Sequence, residues 1–245
     1  MIPRWLIICA LWLLAIPTAD AQELPILGRT LPLQEAVISA PRSGKLIEFR
    51  FDIADRVTAG DLIARFSCEI EHAQRAAALA ASRTLELQYR SQQQLRDFAS
   101  TSALEVDIAR AEWEHSLAEA DIHAAAVAQC DIVAPFDGVV SFTSVRNYEY
   151  VSAGQEIARI IDDSRKFFEF LAPVSWLRDV SIGQPVTVIF EAIEAEVEGR
   201  IQRISPDVDA VSQTVRMRAV IEDSANIIPV GVPGRVHRAD GEQAR

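Results

Sequence analysis

The residues with the best claim to chemistry are few, and their spacing supports little of it. Glu112-x-x-His115 has the separation of one carboxylate–histidine pair of a di-iron helix. Such centres need that pair on two of four helices, whereas only two helices can be read here and His115 falls on an apolar seam. His72, His123 and His237 form no ligand cluster. Met217 is the sole methionine beyond Met1, so a soft thioether site for copper or silver has nothing to be built from. No glycine-rich phosphate loop or nucleophile elbow occurs. Glu191, Glu194, Glu196 and Glu198 read as the solvated face of a strand. No catalytic, cofactor-binding or metal-binding residue is therefore expected, and the chain is not expected to be an enzyme.

The net charge of −11 argues against nucleic-acid binding, which needs a basic face. Arg4, the apolar run from Trp5 to Ile16 and Ala19-Asp20-Ala21 look like a secretory signal over residues 1–21. The alternative, a retained anchor, is disfavoured because the run falls short of the roughly 20 apolar residues of a spanning helix. Export would leave Cys68 and Cys130 as an even pair in an oxidising compartment. Their midpoint is the break between the two helices, so they should face each other at the base of a hairpin as a disulfide. Two buried free thiols are the other possibility.

The elements that carry these residues are unusual in their order. Residues 38–66 and 132–160 repeat without a gap at an offset of 94. Ile38, Ala40-Pro41, Gly44, Val57, Ala59-Gly60 and Ile63-Ala64-Arg65 recur as Ile132, Ala134-Pro135, Gly138, Val151, Ala153-Gly154 and Ile157-Ala158-Arg159. Each copy reads as short strands joined by turns. Between them, Glu69 to Phe98 and the stretch from the capping box Ser102-Ala103-Leu104-Glu105 to Ala128 lack proline and glycine and read as two helices of about 40 Å. Leu104, Ile108, Ala111, His115, Ala118, Ile122 and Ala125 have the 4-3 spacing of a coiled-coil seam. A second stripe, with Val106, Trp113 and Leu117, either faces another protomer through Trp113 and Leu117 or is alanine-rich filler. From Lys166 onward, short alternating strands suggest a small antiparallel barrel.

The A-P-x-x-G … V-x-A-G-x-x-I-A-R pattern resembles the biotinyl/lipoyl domain, a flattened barrel of two interlocked halves. Carriers of that family bear their cofactor on a lysine between the halves. Here that stretch is Phe66-Ser67-Cys68-Glu69-Ile70, and Lys45 and Lys166 lie elsewhere, so no cofactor is expected. Ile182 to Phe190, Gly199 to Asp209 and Thr214 to Ala219 in turn resemble the barrel of the periplasmic adaptor (membrane fusion protein, HlyD-like) family of tripartite efflux systems. The order of modules is similar over about Gly28 to Val236.

This resemblance implies a mainly β fold with a long coiled-coil hairpin. The expected divisions are a signal peptide (1–21), an N-terminal segment and first lipoyl half (22–67), a helical hairpin (68–130), a second lipoyl half (131–164), a β-barrel (165–236) and a tail (237–245). It implies a non-enzymatic adaptor in the periplasm, held at the inner membrane through a transporter and reaching an outer-membrane channel. By family resemblance it is a homo-oligomer, as a six-membered ring, supporting export of small molecules. The tip pattern of such hairpins places Leu95, Ser102 and Glu105 at the channel, with Ser91 in the arginine position and Arg90 one residue earlier. Nine residues follow Val236, so docking to the transporter is expected to rely on the barrel, the lipoyl ring or a partner subunit. The alternative is a free-standing periplasmic ligand-binding or scaffold protein. Substrate and transporter class are not legible.

Overall fold

The computed structural model of the chain describes residues 25–223 and 226–238. The expected signal peptide lies outside the described residues, as does the tail beyond Arg238. The described residues are mainly β with two α-helices. Twelve strands surround them in chain order: β1 (Ile26–Ser39), β2 (Gly44–Phe49), β3 (Arg56–Val57) and β4 (Leu62–Phe66) come first. Then follow α1 (Glu69–Asp97) and α2 (Ala103–Ala128). The chain continues through β5 (Asp131–Val133), β6 (Gly138–Thr143), β7 (Tyr150–Val151), β8 (Glu156–Pro173), β9 (Pro185–Phe190), β10 (Ala195–Asp209), β11 (Thr214–Ile221) and β12 (Pro233–Arg238).

The sequence repeat becomes a repeat of hydrogen bonds, each exchanged between the two copies. Ala40 N donates to Gln155 O at 2.9 Å, and its counterpart Ala134 N donates to Asp61 O at 2.9 Å. Gly154 N bonds Ala40 O at 2.8 Å, as Gly60 N bonds Ala134 O at 2.9 Å. Strand β2 pairs with β7 through Gly44 and Val151, and β3 with β6 through Val57 and Gly138, the same pairing with the copies swapped. The amides of Ala40 and Gly60 in one copy, and of Ala134 and Gly154 in the other, find their carbonyls only across the pair, so the two halves interlock. Leu46, Val57, Ile63, Ala64 and Phe66 fill one core together with their counterparts Val140, Val151, Ile157, Ala158 and Ile160.

The repeated glycines are explained by this geometry. Gly60 and Gly154 hold φ of 89° and 81°, in the left-handed region that glycine enters without strain. A Cβ on Gly138 would stand 2.4 Å from the Ile161 carbonyl oxygen of β8. Ala54 and Tyr148, also equivalent, take φ of 75° and 69° in turns that the repeat pattern did not flag.

Downstream, β1, β12, β9, β10, β11 and β8 pair in that order, and β8 pairs back onto β1. The result is a closed six-stranded antiparallel barrel without a free edge. Phe168, Phe170, Phe190, Trp176 and Met217 fill it, with Phe168 and Phe190 edge to face at 5.7 Å. The expected division at 164–165 falls inside one continuous strand, β8, which runs from the duplicated unit into the barrel. Strand β1 makes the same passage beside it and was not anticipated as a strand. The passage is marked by a bulge: Pro32 pairs with Lys166 but Gln34 with Asp162. Residues 26–32, grouped by sequence with the first half, thus belong to the barrel.

Candidate functional site

Two features of the helical pair could serve a partner: its faces and its tip. The chain turns at Phe98–Ser102 between helices of 29 and 26 residues. Ala99 takes φ 54°, its N–H bonds Arg96 O and Ser100 N–H bonds Leu95 O, each at 2.8 Å. This is a Schellman closure with alanine where glycine is usual. Ser102 then caps α2: its hydroxyl accepts from Glu105 N–H at 3.2 Å while its own N–H donates to the Glu105 carboxylate at 3.0 Å. Thr101 Oγ1 donates to the same carboxylate at 2.6 Å. These hydrogen bonds from Thr101 and Ser102 hold the Glu105 carboxyl below the ordinary carboxylate range.

The other proposed tip residues stand nearby. Arg90 is tied to Glu86 one turn back, at 2.5 Å. Leu95 is 41% exposed, Leu104 68% and Phe98 81%, so the turn presents an apolar cap. Sequence reading missed Phe98, although an aromatic directly before the helix break was the available signal.

The two stripes of α2 are the reverse of what their spacing suggested. Val106, Ala109, Ser116 and Ala120 are the buried positions, and Trp113 belongs to their row, its ring stacked on Tyr89 of α1 at 5.6 Å. Trp113 is thus a contact within the pair, and its ring stays half-buried. Leu117 lies off this row and is 39% exposed. The expected seam faces solvent instead, with Leu104, Ile108 (48%) and Ile122 (69%) exposed. Both stripes have 4-3 spacing, and the one that carries the small residues Ala109, Ser116 and Ala120 is the buried one, as is Ser82 on α1. Leu85, Ile108, Ala111 and His115 line a shallow groove on the pair.

At the base of the pair, Cys68 and Cys130 form a disulfide with Cα atoms 6.1 Å apart. The β4–β5 ladder ends at Arg65↔Asp131, Phe66 N–H bonds the Cys130 carbonyl at 2.8 Å, and the two cysteines stand at the N-cap of α1 and after the C-cap of α2.

A second polar cluster sits at the passage into the barrel. Lys166, 4% exposed, bonds Asp223 at 2.9 Å and also Asn226. Asn226 Nδ2 donates to Asp163 at 3.0 Å, and Asp163 accepts Arg56 of β3 at 3.1 Å. Among the described residues no group of three His, Cys, Asp or Glu side chains is placed to hold a metal ion. No helix among them is long and apolar enough to cross a membrane.

No family model matches the chain. Among curated proteins it is 25% identical over 227 residues to nodulation protein NolF of Rhizobium meliloti, covering 86% of this chain and 62% of that one. It is 26% identical over 227 residues to the nickel-cobalt-cadmium resistance protein NccB of Alcaligenes xylosoxydans xylosoxydans, covering 84% and 55%. The chain spans about half the length of the curated relatives it matches. Among solved structures it superimposes on a MacA–MexA chimeric protein carrying the Pseudomonas aeruginosa MexA α-hairpin domain. The TM-score is 0.78 at 19% identity, over 87% of this chain and 79% of that one. The membrane fusion protein Spr0693 of Streptococcus pneumoniae R6 gives 0.65 at 16% identity, over 88% and 98%. At these identities the likeness to the solved structures is one of fold.

Proposed function

We propose that the chain is a periplasmic adaptor of the membrane fusion protein family, a non-enzymatic link between an inner-membrane efflux transporter and an outer-membrane channel. The observation that carries this reading is the order of parts in one chain. An interlocked β-unit, read as the lipoyl-like domain, is opened at its midpoint by a helical pair of about 40 Å and followed by a closed barrel. The barrel interior is filled by aromatic side chains, which leaves no room there for the small ligand of a free-standing binding protein. A rigid rod projecting from a compact base spans distance, and spanning is what an adaptor must do.

In this reading the hairpin is the coiled-coil arm, its apolar tip of Leu95, Phe98 and Leu104 meets the channel, and the barrel end meets the transporter. The outward stripe of α2 (Leu104, Ile108, Ile122) packs on α1 of the next copy. Such a contact sets α2, with Glu105, Asp107, Glu112, Glu114, Glu119 and Asp121 against Arg110, beside α1, whose Arg75, Arg83, Arg90 and Arg96 balance Glu69, Glu71, Glu86 and Asp97. A heterologous contact of this kind closes into a ring if the rotation allows. Co-expression with the transporter encoded nearest to this gene, followed by affinity purification in detergent, tests the reading. A stoichiometric complex supports it; a monomer that never retains the transporter, even after cross-linking, overturns it.

A further inference from the structure

The base of the helical pair holds an asymmetry that goes beyond a structural staple. Cys68 is the N-cap of α1, where unpaired amides and the helix dipole favour negative charge. Independently, Arg42 Nη1 lies 3.1 Å from Cys68 Sγ, and Glu71 holds that guanidinium through a 2.5 Å contact to Nη2. Cys130 has the opposite setting: it follows the carbonyl end of α2, with its sulfur 3.7 Å from the Ala126 carbonyl oxygen, an acceptor that suits a protonated thiol. Both residues are buried, at 5% and 3% exposure, yet both line a groove of about 450 Å³ shared with His72, Glu69, Arg65 and Asp131.

We propose that Cys68–Cys130 is a reversible redox clamp, opened by a dithiol that enters this groove, with Cys68 as the stabilised leaving thiolate. A thiolate of the dithiol attacks Cys130 Sγ, the Cys68–Cys130 bond breaks, and its electron pair leaves on Cys68 beside Arg42. The second thiolate of the reductant attacks its own bound sulfur and releases Cys130, which takes up a proton. The protein gains two electrons, the reductant becomes a disulfide, and one proton passes to solvent. A low-basicity leaving thiol speeds such exchange, and stabilising the reduced form makes the bond more readily opened. Opening it frees the two points at which the chain enters and leaves the helices.

Dithiothreitol serves as the probe. In reduced protein, site-resolved alkylation against pH should show Cys68 reacting at a lower pH than Cys130. Arg42→Gln should move Cys68 toward Cys130, and Arg42→Lys should restore most of the difference. In reduced/oxidised dithiothreitol buffers the wild type should open at a ratio at least tenfold lower than Arg42→Gln. On reduction, amide exchange should rise in the first turn of α1 and the last turn of α2 while β4 and β8 stay protected. Cys130→Ala reports on Cys68 with Arg42 in place, so the proposal stays testable if Arg42→Gln fails to fold. Alkylation of both thiols over the same pH range, an unchanged opening ratio, or unchanged exchange at the helix ends overturns it.

Discussion

Lys166 and Asp223 show how a single buried pair governs the junction between the two β-units. Burial pushes the Asp223 carboxyl up, but the Lys166 ammonium and the amides of Ile228 and Ile227 outweigh it and hold the group below the ordinary carboxylate range. The folded state then binds fewer protons than the unfolded chain. The pair's contribution is complete above the unfolded value of about 3.9 and is lost as pH falls through the lower folded value. Lys166→Met leaves a buried carboxylate uncompensated and should cost about 3–5 kcal/mol at pH 7. Without the ammonium the burial of Asp223 favours its protonated form, so part of that loss should return as pH is lowered, and urea unfolding at neutral and mildly acidic pH checks both parts. Ala99 makes a smaller claim. An alanine in the left-handed region carries a cost that glycine does not, so Ala99→Gly should stabilise the protein by about 1 kcal/mol in the same assay. The sequence marked the break at 99–101 but not its handedness, because the usual glycine is absent.

At the scale of elements, the helices were legible and their faces were not. The lack of proline and glycine, the capping box and the alanine-rich composition place α1 and α2 within a residue or two. Two stripes of equal period on α2 could not be ranked by hydrophobicity, since the bulkier one, Leu104-Ile108-Ile122, lost to Val106-Ala109-Trp113-Ser116-Ala120. Close approach favours small side chains, and the partner face on α1, with Ser82 and Tyr89, is what decides. Trp113→Ala should therefore lower the thermal midpoint and helical circular dichroism by removing the Tyr89 stack, a loss of about 1–3 kcal/mol. Ile108→Glu should leave helicity intact and weaken self-association, read by sedimentation. If Trp113→Ala changes assembly alone, the assignment of the faces is wrong. Ser102→Asp keeps a capping oxygen and adds charge at the tip, but sets a second carboxylate against Glu105, whose Oε2 is 3.1 Å from the Ser102 hydroxyl. A loss of stability no larger than that of Ser102→Ala, about 1 kcal/mol, with export in cells reduced well below that of Ser102→Ala, is the expected result.

The molecule as a whole was readable where the chain repeats itself and obscure where one strand serves two units. An offset of 94 announced the interlocked halves because their shared turns need the same alanines and glycines twice. Strands β1 and β8 hid the junction, since a bulge at Leu33 and residues 163–165 has no sequence signature. The disulfide at the base was legible from parity and spacing. Mapping of non-reduced peptides from exported protein should recover one Cys68–Cys130 linked pair. Removing both cysteines should cost about 2–4 kcal/mol. An adaptor works only if its arm reaches a channel. A photo-reactive residue at Phe98, introduced in the native cell, tests that most directly. The predicted result is a cross-linked adduct whose second component, identified by mass spectrometry, is an outer-membrane channel protein. Adducts solely with soluble proteins, or none at normal levels of the protein, would contradict it.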